Sequence, residues 1–313
     1  MQKFFHFFIL VIIQLSCKSH LIEHVSLIGH SKNVTKLVFS ADSKYLVSSS
    51  KDNVIIIWDI EKKQKIISLV GHSHEIKALA LSQDKKYLAS TGIEKKIIIW
   101  NVQKGIIEKH LDGIKESATS LAFSSDGSKL AVCGEFGSLS IWDVMSGNNE
   151  KKIRVSNHSL VNGSFSQDNK YFAFSNSEGK VFIMNTAHPY SISIMEGHQR
   201  AVNKLVFSPD SSLVASASED NTINIWNILK KKKIRVLLSG DYFIHSLVFA
   251  NNQIIVSGSI AGNVRYWNIK TGTNINRLSI EGICHLSPDL KYITGINSSV
   301  IKVYRECFLN SCE

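Results

Sequence analysis

Short apolar runs, separated by polar turns, follow one another along most of the chain. In the first clear unit they occupy residues 34–39, 45–50, 54–58 and 65–70, and they are rich in the Val, Ile, Leu and Phe side chains that favour strands. Runs such as Ile55-Ile56-Ile57 do not alternate with polar residues, which is typical of strands covered on both faces. No stretch shows the helical period at useful length. The pattern therefore predicts an all-β protein.

The unit recurs at a nearly fixed spacing. Its marker positions, in steps of 42, then 41 and finally 37 residues, are Trp58, Trp100, Trp142, Met184, Trp226, Trp267 and Tyr304. A serine two residues before an aspartate marks polar turns at the same spacing, after apolar runs such as Lys36-Leu-Val-Phe39 and Lys204-Leu-Val-Phe207. Gly-His pairs end at His30, His72 and His198, each histidine 28 residues before its tryptophan. Seven units in phase predict a repeat architecture.

The Gly-His, Ser-x-Asp and Trp-Asp landmarks resemble those of the WD-repeat (beta-transducin-like) family, over about residues 21–305. The resemblance implies an all-β, seven-bladed β-propeller whose blades are four-stranded antiparallel sheets. The last blade has only three strands after Gly282, and residues 21–28 align with the outer strand at 65–70. We therefore expect the N-terminal segment to complete the last blade and close the ring, with residues 306–313 as a C-terminal tail.

The first twenty residues form a separate leader. Lys3 precedes an apolar run at 4–15, and small or polar residues follow at 16–19, which is the pattern of a secretory signal peptide. The run is short for a membrane span, and His6 and Gln14 interrupt it. Three interpretations stay open: a signal peptide, an N-terminal extension, or a gene-model artefact.

In WD-repeat proteins a histidine, a serine, an aspartate and the tryptophan indole form a hydrogen-bonded chain inside the blade. Carried over by offset, the resemblance implies structural networks of His30, Ser48, Asp52 and Trp58; of His72, Ser90 and Trp100, with Glu94 at the aspartate position; and of His198, Ser216, Asp220 and Trp226. Ser50 is an alternative to Ser48 on the same strand face. The other units lack most of the set, and unit three has Ile114 and Val132 instead. Because the set repeats around the ring, we interpret it as structural and not as a catalytic His-Asp-Ser group.

The resemblance also implies where partners dock. In the family, contacts on one face come from three and five residues after the histidine and from one residue before the turn aspartate. Among the residues at these offsets, the candidate partner-binding positions are Lys51, Lys77, Ile93, Glu219, Phe243, His245 and Ile260. Phe243 and Ile260, with His245 and Glu219 beside them, form the richest patch, because an exposed aromatic and aliphatic pair rimmed by charge is typical of a binding hot spot.

Charge and cysteine content narrow the function classes. The 313 residues carry a net charge of +10, but the lysines are scattered in small groups, which is typical of solubilising turns. The best basic run, Lys230 to Lys233, leaves an anionic lipid or nucleic acid as an alternative partner. The five cysteines fit no metal motif, so we expect no metal or cofactor.

We interpret the chain as a non-catalytic scaffold that binds other proteins and is monomeric within a larger complex. Membrane and nucleic-acid partners are disfavoured, and an enzyme would need convergent carboxylates that the face positions do not supply. The family favours a cytoplasmic or nuclear location. If residues 1–17 act as a signal peptide, the alternative is a secreted or membrane-associated binding module in the secretory pathway.

Overall fold

The computed structural model describes residues 19–187, 190–241 and 243–308. Its strands form seven four-stranded antiparallel sheets, the blades of a propeller. Blade one consists of β2 Val34–Phe39, β3 Tyr45–Ser50, β4 Val54–Asp59 and β5 Gln64–Val70. Blade two consists of β6 Ile76–Leu81, β7 Tyr87–Gly92, β8 Ile97–Asn101 and β9 Ile106–Leu111. Blade three consists of β10 Ala118–Phe123, β11 Lys129–Gly134, β12 Ser138–Asp143 and β13 Asn149–Arg154.

The remaining blades continue the same order. Blade four consists of β14 Leu160–Phe165, β15 Tyr171–Asn176, β16 Val181–Asn185 and β17 Ile192–Met195. Blade five consists of β18 Val202–Phe207, β19 Leu213–Ser218, β20 Thr222–Asn227 and β21 Lys232–Leu238. Blade six consists of β22 Ile244–Phe249, β23 Ile254–Ser259, β24 Asn263–Asn268 and β25 Asn274–Ser279. Blade seven takes β26 Ile283–Leu286, β27 Tyr292–Asn297 and β28 Val300–Phe308 from the end of the chain.

The fourth strand of blade seven is β1, Ser19–Ile28, from the start of the chain. It pairs antiparallel with β28, from Ile28 opposite Val300 to Ser19 opposite Phe308. The predicted seven-bladed propeller and its closing strand are therefore confirmed. The pairing also extends two residues before the predicted start at 21 and three residues past 305. The rest of the predicted leader, residues 1–18, and the last residues of the predicted tail lie outside the described part of the chain.

The hydrophobic core lies between the blades. In the described chain, the buried apolar side chains form seven clusters, and each cluster combines residues of two neighbouring blades. The cluster between blades seven and one joins Leu27 of β1 and Tyr292 of β27 to Leu37 and Trp58 of blade one. Since a blade is covered on both faces, its central strands lose the apolar–polar alternation, as the sequence pattern predicted.

The marker position always faces the preceding blade. Trp58 packs in the cluster with blade seven, Trp100 in the cluster with blade one, and Trp226 in the cluster with blade four. The indole also explains the glycine of Gly-His: a Cβ at Gly29 would lie 2.7 Å from Cη2 of Trp58. The 42-residue spacing therefore places one large marker side chain at each blade interface.

We expect Leu27→Ala to lower the free energy of unfolding by about 3 kcal/mol, because Leu27 is 2 % exposed and packs between blades seven and one. The matched control is the next residue of β1, Ile28, which is 72 % exposed, and Ile28→Ala should change stability by less than about 0.5 kcal/mol. Urea unfolding of the two variants checks this. Equal effects would show that β1 does not contribute its buried face to ring closure.

Candidate functional site

One face of the ring, which we call the top face, carries two loops from each blade. These are the loop that leads into the first strand and the turn between the second and third strands. In six blades a backbone hydrogen bond joins the two loops at the same point. The amide donors and their carbonyl acceptors are Lys51 and Asn33, Ile93 and Glu75, Glu135 and Ser117, Ser177 and Ser159, Glu219 and Ala201, and Ile260 and Phe243, at 2.9 to 3.1 Å. Two of the three family offsets therefore lie side by side on this face.

Phe243 and Ile260 form an exposed apolar pair on the top face. They are 44 % and 40 % exposed, and the backbone N–H of Ile260 donates to the carbonyl of Phe243 at 3.1 Å. Phe243 has a φ of 51°, a left-handed conformation that costs a bulky side chain about 1–3 kcal/mol. The aromatic ring is thus held at the surface by a loop conformation that a phenylalanine would not adopt by itself.

The pair lies at the mouth of a central channel, a cavity of about 520 Å³ bounded by the first strands of the blades. Among the candidate partner-binding residues, Lys77, Glu219, Phe243, His245 and Ile260 line this cavity. Lys51 and Ile93 are exposed on the top face but do not belong to the channel wall. The structure therefore brings five of the seven candidates together around one opening, and their role in binding remains a prediction.

Inside blade one, four side chains form a continuous hydrogen-bonded chain. Trp58 Nε1 donates to Ser48 Oγ at 2.8 Å, Ser48 Oγ lies 2.8 Å from His30 Nε2, and His30 Nδ1 lies 3.0 Å from Asp52. A histidine protonated at Nδ1 satisfies every group in this chain, since Ser48 then donates to Nε2. Ser50, the alternative serine, donates instead to the carbonyl of Lys32.

Burial keeps this histidine neutral. Burial lowers the pKa of His30 below its ordinary value, in spite of the hydrogen bond to Asp52. Burial alone would raise the pKa of Asp52, but hydrogen bonds from the backbone N–H groups of Val54 and Ser31 and from His30 lower it below its usual range. A neutral histidine beside a carboxylate that accepts three hydrogen bonds is a satisfied structural network.

Blades two and five repeat the arrangement. His198 Nδ1 lies 2.9 Å from Asp220 and its Nε2 lies 2.7 Å from Ser216, which accepts from Trp226 Nε1 at 2.7 Å. In blade two the same contacts join His72 to Glu94 at 2.5 Å and to Ser90 at 2.6 Å, with Trp100 donating to Ser90 at 2.7 Å. The second carboxylate oxygen of Glu94 is buried without a hydrogen-bond partner. The longer glutamate thus completes the hydrogen-bonded chain of blade two but leaves its second carboxylate oxygen unsatisfied.

A family model of the IFT122 first beta-propeller matches residues 33–305. The chain belongs to the IFT122 first beta-propeller family. No curated protein sequence matches the chain. The residues that this family match spans begin just before β2 and end in β28, so β1, the closing strand, lies outside it.

Blades three and six of this IFT122-type propeller carry a carboxylate at a different position. Glu116 in blade three accepts from the backbone N–H of Phe136 at 2.6 Å and from Ser138 Oγ. Asp241 in blade six accepts from Arg265 Nη2 at 3.0 Å and from Asn263 Nδ2 at 2.9 Å. The expectation that these units have no equivalent polar network was therefore incomplete.

The spacing of these two carboxylates from the tryptophan differs from that in blades one and five, and it is visible in the sequence. Glu116 and Asp241 each stand 26 residues before their tryptophan, in the loop that enters the blade, whereas Asp52 and Asp220 stand six before it. Phe136, which occupies the aspartate position of blade three, is 59 % exposed and does not fill the interior. The buried carboxylate thus comes from the entering loop in blades three and six and from the turn between the second and third strands in blades one and five, and the fold holds these two loops side by side.

The wall of the channel in this IFT122-type propeller carries basic groups that the family offsets did not include. Lys36, Ala78, Ser120, Asn162 and Lys204 all line the cavity and stand 42 residues apart, one position after the family offset. The apolar pattern of these segments predicted strands and assigned no role to the two lysines. Because both lysines stand at the same position of the 42-residue repeat, this period is the feature of the sequence that predicts the same wall position for both.

Two histidines complete the basic wall. His245 and His285 lie with ring centroids 4.7 Å apart in an edge-to-face arrangement. Burial, together with the positive charges of Lys36 and Lys204, lowers the pKa of His245 to about 4. Burial first, and then His245 and the same lysines, lowers the pKa of His285 well below its ordinary value. The channel therefore holds two lysine ammonium groups beside two histidines that stay neutral at neutral pH.

Within residues 19–187, 190–241 and 243–308, no group of three or more His, Cys, Asp or Glu side chains is arranged to hold a metal ion. The described residues also contain no helix long and apolar enough to cross a membrane.

Glu94 and Gly92 should be energetically coupled. The carboxylate of Glu94 lies over Gly92, where a Cβ would be 2.1 Å from Oε2, whereas blades one and five have Ser50 and Ser218 there with the shorter aspartate. We expect Gly92→Ser alone to lower the free energy of unfolding by about 2 kcal/mol through this clash. In a Glu94→Asp background the same change should cost little. A double-mutant cycle by urea unfolding measures the coupling, and additive effects would contradict it.

The channel histidine should make the protein acid-sensitive. The folded state binds no proton at His245 until about pH 4, while the unfolded chain binds one near pH 6.5, so stability falls as pH falls between these values. We expect His245→Gln to reduce the stability lost between pH 7 and pH 5 by about 2 kcal/mol. Urea unfolding at the two pH values measures this. An unchanged loss in the variant would show that His245 does not contribute.

Proposed function

We propose that this propeller is a non-catalytic scaffold that docks a peptide or loop of a partner protein on its top face, at the mouth of the channel. The observation that carries the proposal is the exposed pair of Phe243 and Ile260, with Glu219 and His245 beside it on the channel wall. Apolar side chains grouped at a concave opening and rimmed by charge are the usual anchors of protein recognition. The strained φ of Phe243 supports a binding role, since backbone strain concentrates at functional sites.

We also infer that the repeats are of the WD type. The inference is supported by the hydrogen-bonded chains in blades one, two and five, which join the histidine, serine, acidic residue and tryptophan at the offsets that the resemblance implies. The family match to a propeller agrees with this inference at the level of the fold.

A non-catalytic role is supported by where the reactive groups lie. Ser48, Ser90 and Ser216 are each 0 % exposed, so no substrate reaches the His-Ser-acid sets. The thiols of Cys133 and Cys284 are buried in blade interfaces, and burial raises the pKa of Cys133 to about 12. A thiol that stays protonated is not a nucleophile at neutral pH.

The alternatives rest on other parts of the chain. Lys230 and Lys231, in the run considered for anionic lipid or nucleic acid, lie in the turn between β20 and β21, away from the channel mouth. The secreted or membrane-associated alternative depends on residues 1–17, which lie outside the described residues. A cytoplasmic or nuclear location, and a monomeric propeller within a larger complex, stay predictions from the resemblance.

The proposal is tested by affinity capture from the native cell with the double variant Phe243→Ala and Ile260→Ser. We expect the variant to fold and to lose at least one partner that the parent protein captures, because the two exposed anchors are removed without touching a blade interface. The matched control is Phe136→Ala with Ile194→Ser, which removes the same kinds of exposed side chain (59 % and 56 % exposed) away from the channel mouth.

Quantitative mass spectrometry compares the captured proteins, and circular dichroism verifies folding of both variants. Loss of a partner only in the channel-mouth variant supports docking at this site. Capture of the full partner set by the folded channel-mouth variant would rule it out.

A further inference from the structure

The channel wall contains two lysines that form no ion pair with any described residue. Lys36 extends from β2 of blade one and Lys204 from β18 of blade five, and both line the cavity. Across the described residues, neither ammonium group has a carboxylate within ion-pair distance or a hydrogen-bond partner. By contrast, Lys77 on the same wall pairs with Glu75 at 3.5 Å. Glu219, at the mouth, forms no ion pair with either channel lysine.

Histidines fill the arc between these lysines. Along the ring, blades six and seven separate blade five from blade one, and they contribute His245 and His285 to the same cavity. Nε2 of His285 is buried and has no hydrogen-bond partner. Four consecutive blades thus direct basic groups into one channel, and one of those groups is a buried polar atom that a partner would satisfy.

The opposite side of the channel supplies neutral polar groups. Ser120 and Asn162 line the cavity at positions equivalent to those of the two lysines. Oδ1 of Asn162 accepts from the backbone N–H of Leu205 at 3.1 Å, which orients the side-chain amide. Hydroxyl and amide donors therefore face the basic arc across the cavity.

The uncompensated charge is costly to the protein by itself. Burial, and then the charge of Lys36, lowers the pKa of Lys204 below its ordinary value. Burial and Lys77 also lower the pKa of Lys36, although the charge of Glu75 opposes this shift. Like charges held together in a partly desolvated space destabilise each other, whereas an anion between them would attract both ammonium groups and offset part of the cost of their burial.

We propose that the central channel binds a small phosphate-bearing anion, held between Lys36 and Lys204 with His245, His285, Ser120 and Asn162 around it. A phosphate group fits this set better than a carboxylate, because its tetrahedral oxygens accept hydrogen bonds from several directions and its double charge matches two ammonium groups. The cavity of about 520 Å³ is wide enough for more than one phosphate group. His245 borders both this site and the docking site proposed above, so the two sites are adjacent.

The direct test uses pyrophosphate and inositol hexakisphosphate as probes, in phosphate-free buffer at low salt. Titration calorimetry measures affinity and thermal unfolding measures stabilisation of the full chain. We expect both probes to raise the melting temperature of the parent protein. The double variant Lys36→Gln with Lys204→Gln should bind at least about tenfold more weakly, since each lysine contributes a charge-assisted hydrogen bond.

The matched control is Lys230→Gln with Lys232→Gln, which removes the same charge from exposed positions away from the channel. It should bind both probes as the parent protein does. Without probe, the channel variant should melt at a higher temperature than the parent protein at low salt, because the repulsion is gone. Equal weakening in both variants, or no binding by the parent protein, would overturn the proposal.

A second measurement does not depend on the folding of a variant. Histidine ring signals in the NMR spectrum of the parent protein should shift on addition of pyrophosphate, and His245→Gln identifies one of them. An anion in the channel favours protonation, so the pKa of His245 should rise. An unchanged titration of this histidine at saturating pyrophosphate would contradict binding in the channel.

Vesicle binding distinguishes a lipid headgroup from a soluble phosphate compound as the ligand of the channel. Sedimentation with phosphatidylcholine vesicles that contain a phosphoinositide tests whether the channel takes a lipid headgroup. Binding that the soluble inositol phosphate displaces and that the channel variant loses supports the same site with a lipid source. Vesicle binding that the channel variant keeps and the Lys230→Gln with Lys232→Gln control loses would assign phosphate recognition to the exposed lysine run and overturn the proposal.

Discussion

Apolar packing between neighbouring blades is the interaction on which the rest of this structure depends. A four-stranded blade has two faces to cover and buries its side chains only against its neighbours, so all seven buried clusters of the described chain lie at blade interfaces. An open array would leave two faces uncovered. Pairing of β1 with β28 supplies the missing strand, and Leu27 of β1 packs in the buried cluster between blades seven and one.

The same burial governs the polar chemistry inside the blades. A polar group that packs between two sheets needs a hydrogen-bond partner in the protein, and within a blade the Trp-Ser-His-acid chain satisfies each group in turn. The acid does not have to come from one fixed position. Because the entering loop and the turn between the second and third strands are hydrogen-bonded to each other, either loop presents a carboxylate to the same interior, as Asp52 and Asp241 do.

The sequence predicted those features that repeat. The period of the tryptophans predicted the blades, and the alignment of residues 21–28 with 65–70 predicted the closing strand, because both follow from packing that every unit shares. The relocated carboxylates of Glu116 and Asp241 were missed, since their equivalence depends on a contact between two loops. The family offsets placed Phe243 at an exposed position, but no pattern of apolar residues encodes the left-handed backbone conformation that it adopts there and that its residue type disfavours.

Blade packing leaves two surfaces free to vary, the top-face loops and the channel wall, and they meet at one opening. Lys36 and Lys204 share the 42-residue period of the blades, yet the period fixes only where their side chains point and not which residues stand there. A partner that covers Phe243 and Ile260 necessarily changes the solvation of the basic channel below them. If the mouth docks a partner and the channel binds an anion, as proposed, the two events are coupled reciprocally: an acidic partner loop would compete with the anion, whereas a neutral loop that covers the mouth would retain it.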